Sequence, residues 1–418
     1  MLYYYFYNLW YNLIMFDISS PNTYIPTIFL SMIAVFVSIL YKDAKRNERK
    51  STKDLPYYTE IATSMDYINR CIHENGRFQY RKNIDSAISY DNKIYNSLRH
   101  AGTLYSMYLY ENIGYENKYF DQRILASEYF IENYIKPLDD EKSYIITLPK
   151  EENIKFPIAK SGACGVALCA LANLLKTNNI KPKTLEALGE FILFMTDENG
   201  KVFAYYDLEK NEINKEAEAL YYSGECACGL LYLYEHNPQE KWLITAKKII
   251  SNIIKTRKNL DFDIPFDHWI ALAIEKLFLH EWVTPEEKKS FESFVEQMAI
   301  PMLSKQITNI KNSYCGAFND NIMPCSVGTI MEGLAAIYFC TSSQDLKKIL
   351  FKSLSIGCMF LSKVQVKTGE QAGGLPNSAN WVKAGVTQNA SVIRIDNVQH
   401  VVTAWLKFQK ILAVTDNY

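Results

Sequence analysis

Little in this 418-residue chain points toward a nucleic acid, a zinc cluster or a disulfide framework. Lysine plus arginine number 45 against 46 aspartate plus glutamate, so there is no global basic field of the kind that nucleic-acid binding requires. Nine cysteines are an odd number and none stands in CxxC spacing, which suits reduced thiols better than paired ones. Cys164, Cys226, Cys228 and Cys325 have no compact partner set of cysteine and histidine, so they read as small buried hydrophobes rather than zinc ligands. No metal and no cofactor is assigned. The N-terminus lacks a basic leader and a small-residue cleavage site, which argues against a cleaved signal peptide.

What is present divides the chain at about residue 54. Residues 24–41 form an almost uncharged run that includes Ile28, Phe29, Leu30 and Ile33 through Leu40, close to the roughly 20 residues that cross a bilayer. This segment is expected to be a transmembrane helix. Residues 1–23 are a second aromatic segment, uncharged from Leu2 to Phe16, interfacial or a further pass, and 42–54 is a basic linker. No lysine or arginine precedes the run and several follow it, so the positive-inside rule puts the large domain, 55–418, on the cytoplasmic side.

That domain carries a sixfold pattern. Charged helices with apolar residues at helical spacing are predicted over 58–73, 118–135, 183–196, 239–257, 285–303 and 343–366. Each is followed by a more apolar one, over 95–111, 158–176, 217–235, 265–280, 325–340 and 392–411. Their starts lie roughly 47 to 68 residues apart, long for a simple superhelical repeat. Six outer and six inner helices make an all-α (α/α)6 barrel the economical architecture. Small residues at the inner-helix starts, such as Gly102, Gly162, Gly165, Gly224, Gly229 and Gly328, relieve crowding where helices converge. Residues 74–80 and 198–205 each pair a turn signal with alternating apolar residues, which predicts short β-hairpins at the barrel mouth.

The inner-helix starts also gather the chemistry. Glu225 shares a helical face with Tyr222, and a carboxyl in an aromatic cavity can act as acid or base near neutral pH; a structural carboxylate is its plainer role. Asp267 opens a helix beside His268 and Trp269, as a helix cap or as a catalyst. Asp396 and His400 share a face after Arg394, and Arg394 either grips a carboxylate or neutralises Asp396. Arg99 and His100 stand at another start, and Glu332 lies deeper in its helix as a candidate network member. Three of the six histidines, His100, His268 and His400, occupy such places.

The six-hairpin rhythm, with Tyr221-Tyr222-Ser223-Gly224-Glu225, Asp267-His268-Trp269 and Arg394-Ile395-Asp396, resembles the α/α-toroid enzymes, which include six-hairpin glycosidases and the N-acylglucosamine 2-epimerase group. The resemblance implies a carbohydrate-active enzyme, first a membrane-anchored glycosidase on a surface or capsular glycan or its precursor, with Glu225 and Asp267 as acid and base. An inverting mechanism would then need their carboxyls roughly 6.5 to 9.5 Å apart. His100 and His268 join them as catalytic candidates; Arg99, Tyr222, Trp269, Glu332, Arg394, Asp396 and His400 are the expected substrate contacts. The alternatives are a sugar epimerase or isomerase that uses the histidines, with Arg99 or Arg394 steadying an enolate, and a non-catalytic glycan-binding member of a polysaccharide-synthesis complex.

Overall fold

The structure, a computed structural model, describes residues 54–415 except 91–92, 114, 116–117, 259–263, 319–321 and 383–387. The expected membrane segment 24–41 and its flanks before residue 54 lie outside the described residues. Among the described residues no helix is long and apolar enough to cross a membrane.

Among the described residues, twelve long helices alternate between two roles. The outer set is α1 (Tyr58–Arg70), α3 (Phe120–Tyr134), α5 (Pro182–Phe194), α7 (Glu240–Arg257), α9 (Pro285–Ser304) and α11 (Gln344–Val364). The inner set is α2 (Ser97–Asn112), α4 (Ser161–Leu171), α6 (Tyr222–His236), α8 (His268–Leu279), α10 (Pro324–Cys340) and α12 (Ile395–Thr415). Each inner helix packs on the inner helices before and after it, and α12 closes on α2, which makes the ring. Sequence explains the division. Outer helices have one buried stripe, as in α7 where Trp242, Ala246, Ile249, Ile250 and Ile253 face inward. Inner helices are walled in on several sides, and every residue of α4 is buried, as an all-round apolar helix must be. Local signals set the ends: Thr284 and Glu287 form a capping box at α9, and proline stands in the first turn of α5 and α10.

Small residues allow the inner helices to touch backbone to backbone. A Cβ on Gly165 would stand 2.2 Å from the Glu225 carbonyl oxygen, and one on Gly229 would stand 2.3 Å from that of Gly165, so α4 and α6 meet only because neither glycine has one.

Two local expectations need correction. The turns at 74–80 and 198–205 close with single bridges, Ile72 to Phe78 and Thr196 to Val202, not with hairpin strands. Gly76 and Gly200, at φ 87° and 88°, each lie against a carbonyl of the next outer helix, so contact with the neighbour replaces a ladder. The strands lie elsewhere: a five-stranded antiparallel sheet, β2 (Ile135–Pro137), β3 (Ser143–Thr147), β4 (Ile158–Lys160), β5 (Tyr205–Asp207) and β6 (Glu212–Asn214), and a ribbon of β1 (Arg81–Asn83) with β7 (Val392–Arg394). Strands β4 and β7 run directly into α4 and α12, which is why those helices begin at 161 and 395, later than the apolar pattern suggests.

Candidate functional site

The starts of α6, α8, α10 and α12 bring most of the expected residues together. His268 begins α8 and is buried, and neither ring nitrogen has a hydrogen-bond partner among the described residues. Its ring meets Tyr221 edge-on at 5.3 Å between centroids, Trp269 at 5.2 Å and His400, again edge-on, at 5.7 Å. Burial, then the charge of His400, holds the His268 pKa well below the usual imidazole range. His400 is held differently. Its Nδ1 lies 2.8 Å from Oε1 of Glu332, and although burial alone would lower its pKa, the Glu332 carboxylate raises it above the ordinary value. The two rings are therefore biased in opposite directions, His268 toward the neutral form and His400 toward the protonated one. One donor atom each of His268, Glu332 and His400 also lie within 4.8 Å of one another, a grouping of residue types suited to a divalent ion. The expectation of a metal-free site is not tested by this geometry.

Glu225, in the first turn of α6, is 4% exposed and its Oε2 has no hydrogen-bond partner among the described residues. Gly162 makes room for it, since a Cβ there would fall 2.0 Å from that oxygen and within 2.6 Å of the Tyr222 ring. Burial and then the nearby Asp267 charge push its pKa up to about 8. Tyr222 stands beside it, its ring 5.5 Å from that of Tyr205.

Asp267 is placed as a cap. Its Oδ1 accepts from the backbone amides of Trp269 at 3.1 Å and Ile270 at 3.3 Å, and its Oδ2 accepts from Arg257 Nη1 at 2.7 Å. Arg257 also donates to the Leu220 carbonyl, tying the entry of α6 to that of α8. Both carboxylate oxygens are engaged, and the side chain is fully buried, an arrangement that accounts for Asp267 as a cap and ion-pair partner. Trp269 is likewise not an open platform: it is 5% exposed and packs on Tyr105, centroids 5.9 Å apart.

His100 separates from the group. It is fully buried, bonded to the Tyr95 hydroxyl at 2.6 Å and the Ala126 carbonyl at 2.9 Å, with Phe78, Phe130 and Tyr134 around it. Burial lowers its pKa to about 3. It is a neutral imidazole between α2 and α3, and its helix phase was a poor guide because side-chain direction depends on which neighbour each face meets.

At the mouth, Arg394 grips Asp396 with two bonds of 3.0 and 2.9 Å, and Arg99 Nε meets the same carboxylate at 3.1 Å. Arg99 also donates to the Tyr80 hydroxyl. Tyr80, Arg81, Tyr90, Asn377 and Asn389 complete this wall. Sequence reading did not single them out because they arrive on β1 and on loops, outside the helix rhythm; the β1–β7 register sets Arg81 opposite Arg394, and a bridge from Pro376 to Ile393 brings Asn377 to the same ribbon.

No family and no curated protein matches the sequence. Solved structures do match in shape. The chain is similar to a cellobiose 2-epimerase from Bacillus thermoamylovorans, with a TM-score of 0.60 at 12% identity over 84% of this chain and 98% of that one. It is similar to a D-mannose isomerase, with a TM-score of 0.60 at 12% identity over 84% and 97%. It is also similar to the GH76A α-1,6-mannanase of a Salegentibacter species, with a TM-score of 0.56 at 12% identity over 85% and 99%. All three are six-hairpin (α/α)6 toroid enzymes, and this is the fold of the present chain.

Proposed function

We propose that the protein is a sugar epimerase or isomerase that moves a proton next to a carbonyl group. The observation that carries this reading is the His268–His400 pair, two imidazoles in edge-on contact whose surroundings bias them in opposite directions. An imidazole base must be neutral and an imidazole acid charged at the same pH, and the two environments favour one of each. His268 would take the proton from the carbon beside the carbonyl, and its electron pair would pass to the carbonyl oxygen as an enolate. Arg99 is suited to hold that oxyanion. His400, kept protonated by Glu332, would return a proton, and exchange between the two rings would reset the pair.

Hydrolysis by Glu225 and Asp267 is less well supported, because Asp267 is committed to its cap and to Arg257. Glu225 fits a second role in the proton-transfer reading, as a neutral carboxyl that hydrogen-bonds a sugar hydroxyl. The cellobiose 2-epimerase and mannose isomerase among the similar structures agree with the chemistry, and the mannanase represents the alternative.

The deciding experiment incubates the purified full chain with a panel of reducing sugars, neutral and charged, in deuterium oxide and follows the carbon-bound protons by NMR. Solvent deuterium is expected at C2 of an epimerised aldose or C1 of a ketose product. Cleavage of a glycoside with no deuterium at carbon would replace this reading with hydrolysis.

A further inference from the structure

The ribbon of β1 and β7 contains an arrangement that its own stability does not explain. The antiparallel register sets Arg81 directly opposite Arg394. Side chains at such positions share a face with Cβ atoms about 5 Å apart, and like charges there repel. Arg394 is answered by Asp396, but that carboxylate also serves Arg99. Arg81 has no ion pair among the described residues. Its Nε is buried without a hydrogen-bond partner, and its guanidinium lies 5.0 Å from the Tyr90 ring centroid. Two guanidinium groups thus share one carboxylate, and the third has none among the described residues.

They also share a cavity. A space of about 440 Å³ is lined by Arg81, Arg99, Arg394, Tyr80, Asn377 and Asn389, within the range of small-molecule sites. The cavity lies near the histidine pair along α12, where Asp396, bonded to Arg99 and Arg394, stands one turn before His400 on the same face. Guanidinium groups present paired N–H donors in a plane that matches carboxylate and phosphate oxygens; the Asn377 amide, by contrast, donates to Asn389.

We infer that this cavity holds an anionic group carried by the substrate, a carboxylate or a phosphate monoester, so that the sugar is acidic or phosphorylated rather than neutral. The inference rests on the proton-transfer reading for the word substrate, but its binding claim is independent. The reacting end of the sugar would lie at the histidines while Arg81 and Arg394 close on the anion from the ribbon, an arrangement in which remote binding energy positions the reacting carbon.

The test is calorimetric titration of the purified full chain with glucose, glucuronate, glucose 6-phosphate and inorganic phosphate, repeated on Arg81→Gln and Arg81→Lys with melting temperature as the folding control. A charged sugar is expected to bind at least about tenfold more tightly than glucose. Loss of one charge-assisted contact should weaken it about 10- to 100-fold in Arg81→Gln, with partial recovery in Arg81→Lys. Equal affinity for glucose and both charged sugars in the unaltered protein overturns the inference, whether or not the variants fold. So does binding of inorganic phosphate with no preference for the charged sugars, which would make this a site for the free ion. Charged-sugar binding without deuterium exchange would leave the anion site standing and remove the proton-transfer reading; exchange into neutral sugars alone would do the reverse.

Discussion

Replacing His268 or His400 with Gln is expected to lower proton transfer by about 10² to 10⁴-fold, the usual contribution of a positioned acid or base, with secondary structure retained. The two losses should not multiply in the double variant, because each ring is useful only when the other completes the transfer. Glu332→Gln tests the third member as a positioning residue. A neutral amide cannot hold the His400 proton as the carboxylate does at 2.8 Å. His400 has its pKa raised when folded, so the protonated form persists to higher pH and is lost as pH rises through that value. The alkaline limb of the rate profile should therefore move toward lower pH in Glu332→Gln, while the acid limb, set by the depressed His268, stays in place. Full activity in either histidine variant would remove that ring from the reaction, and an unmoved alkaline limb would make Glu332 a packing residue only.

Asp267→Ala is expected to cost about 3 to 5 kcal/mol of stability, the range for removing one partner of a buried ion pair. The carboxylate is fully buried, Arg257 is 14% exposed at its side chain, and two amides at the start of α8 lose their acceptor. Asp267→Asn keeps an oxygen for the cap and should cost less, since Asn is itself a good cap. Denaturant melts of the two variants measure the difference. A melt for Asp267→Ala within about 1 kcal/mol of the original would show that the pair is not structural and would return Asp267 to the list of catalysts. Under the proton-transfer reading, Asp267→Asn should retain most activity in whatever fraction is folded; under hydrolysis it should be inactive.

The helices were legible because each carries its own record. An outer helix must show one apolar stripe and an inner one must be apolar on several faces, so α7, with Trp242 and Ile249 turned inward, and the wholly buried α4 announce themselves. Glycine at the contact of α4 and α6 was legible for a related reason, since the close approach leaves a requirement at single positions. Site residues were legible only as candidates. Phase puts His100, His268 and His400 at equivalent starts, yet His100 ends in an aromatic cage while the other two face each other. Nothing local to Asn96 through Gly102 separates those outcomes, because the cage comes from α3 and from the turn at Phe78.

The amino-acid order by itself determined the ring: six pairs of helices, their order, and the small residues that let the inner six converge. These follow from periodicity, caps and side-chain size, which act within a few residues of each position. Only the tertiary structure decided which groups can react. The pairing of His400 with Glu332, the commitment of Asp267 to Arg257 and the meeting of Arg81 with Arg394 join residues 68, 10 and 313 positions apart. Protonation state depends on burial and on charges within a few ångströms, and those neighbours exist only once the ring has closed.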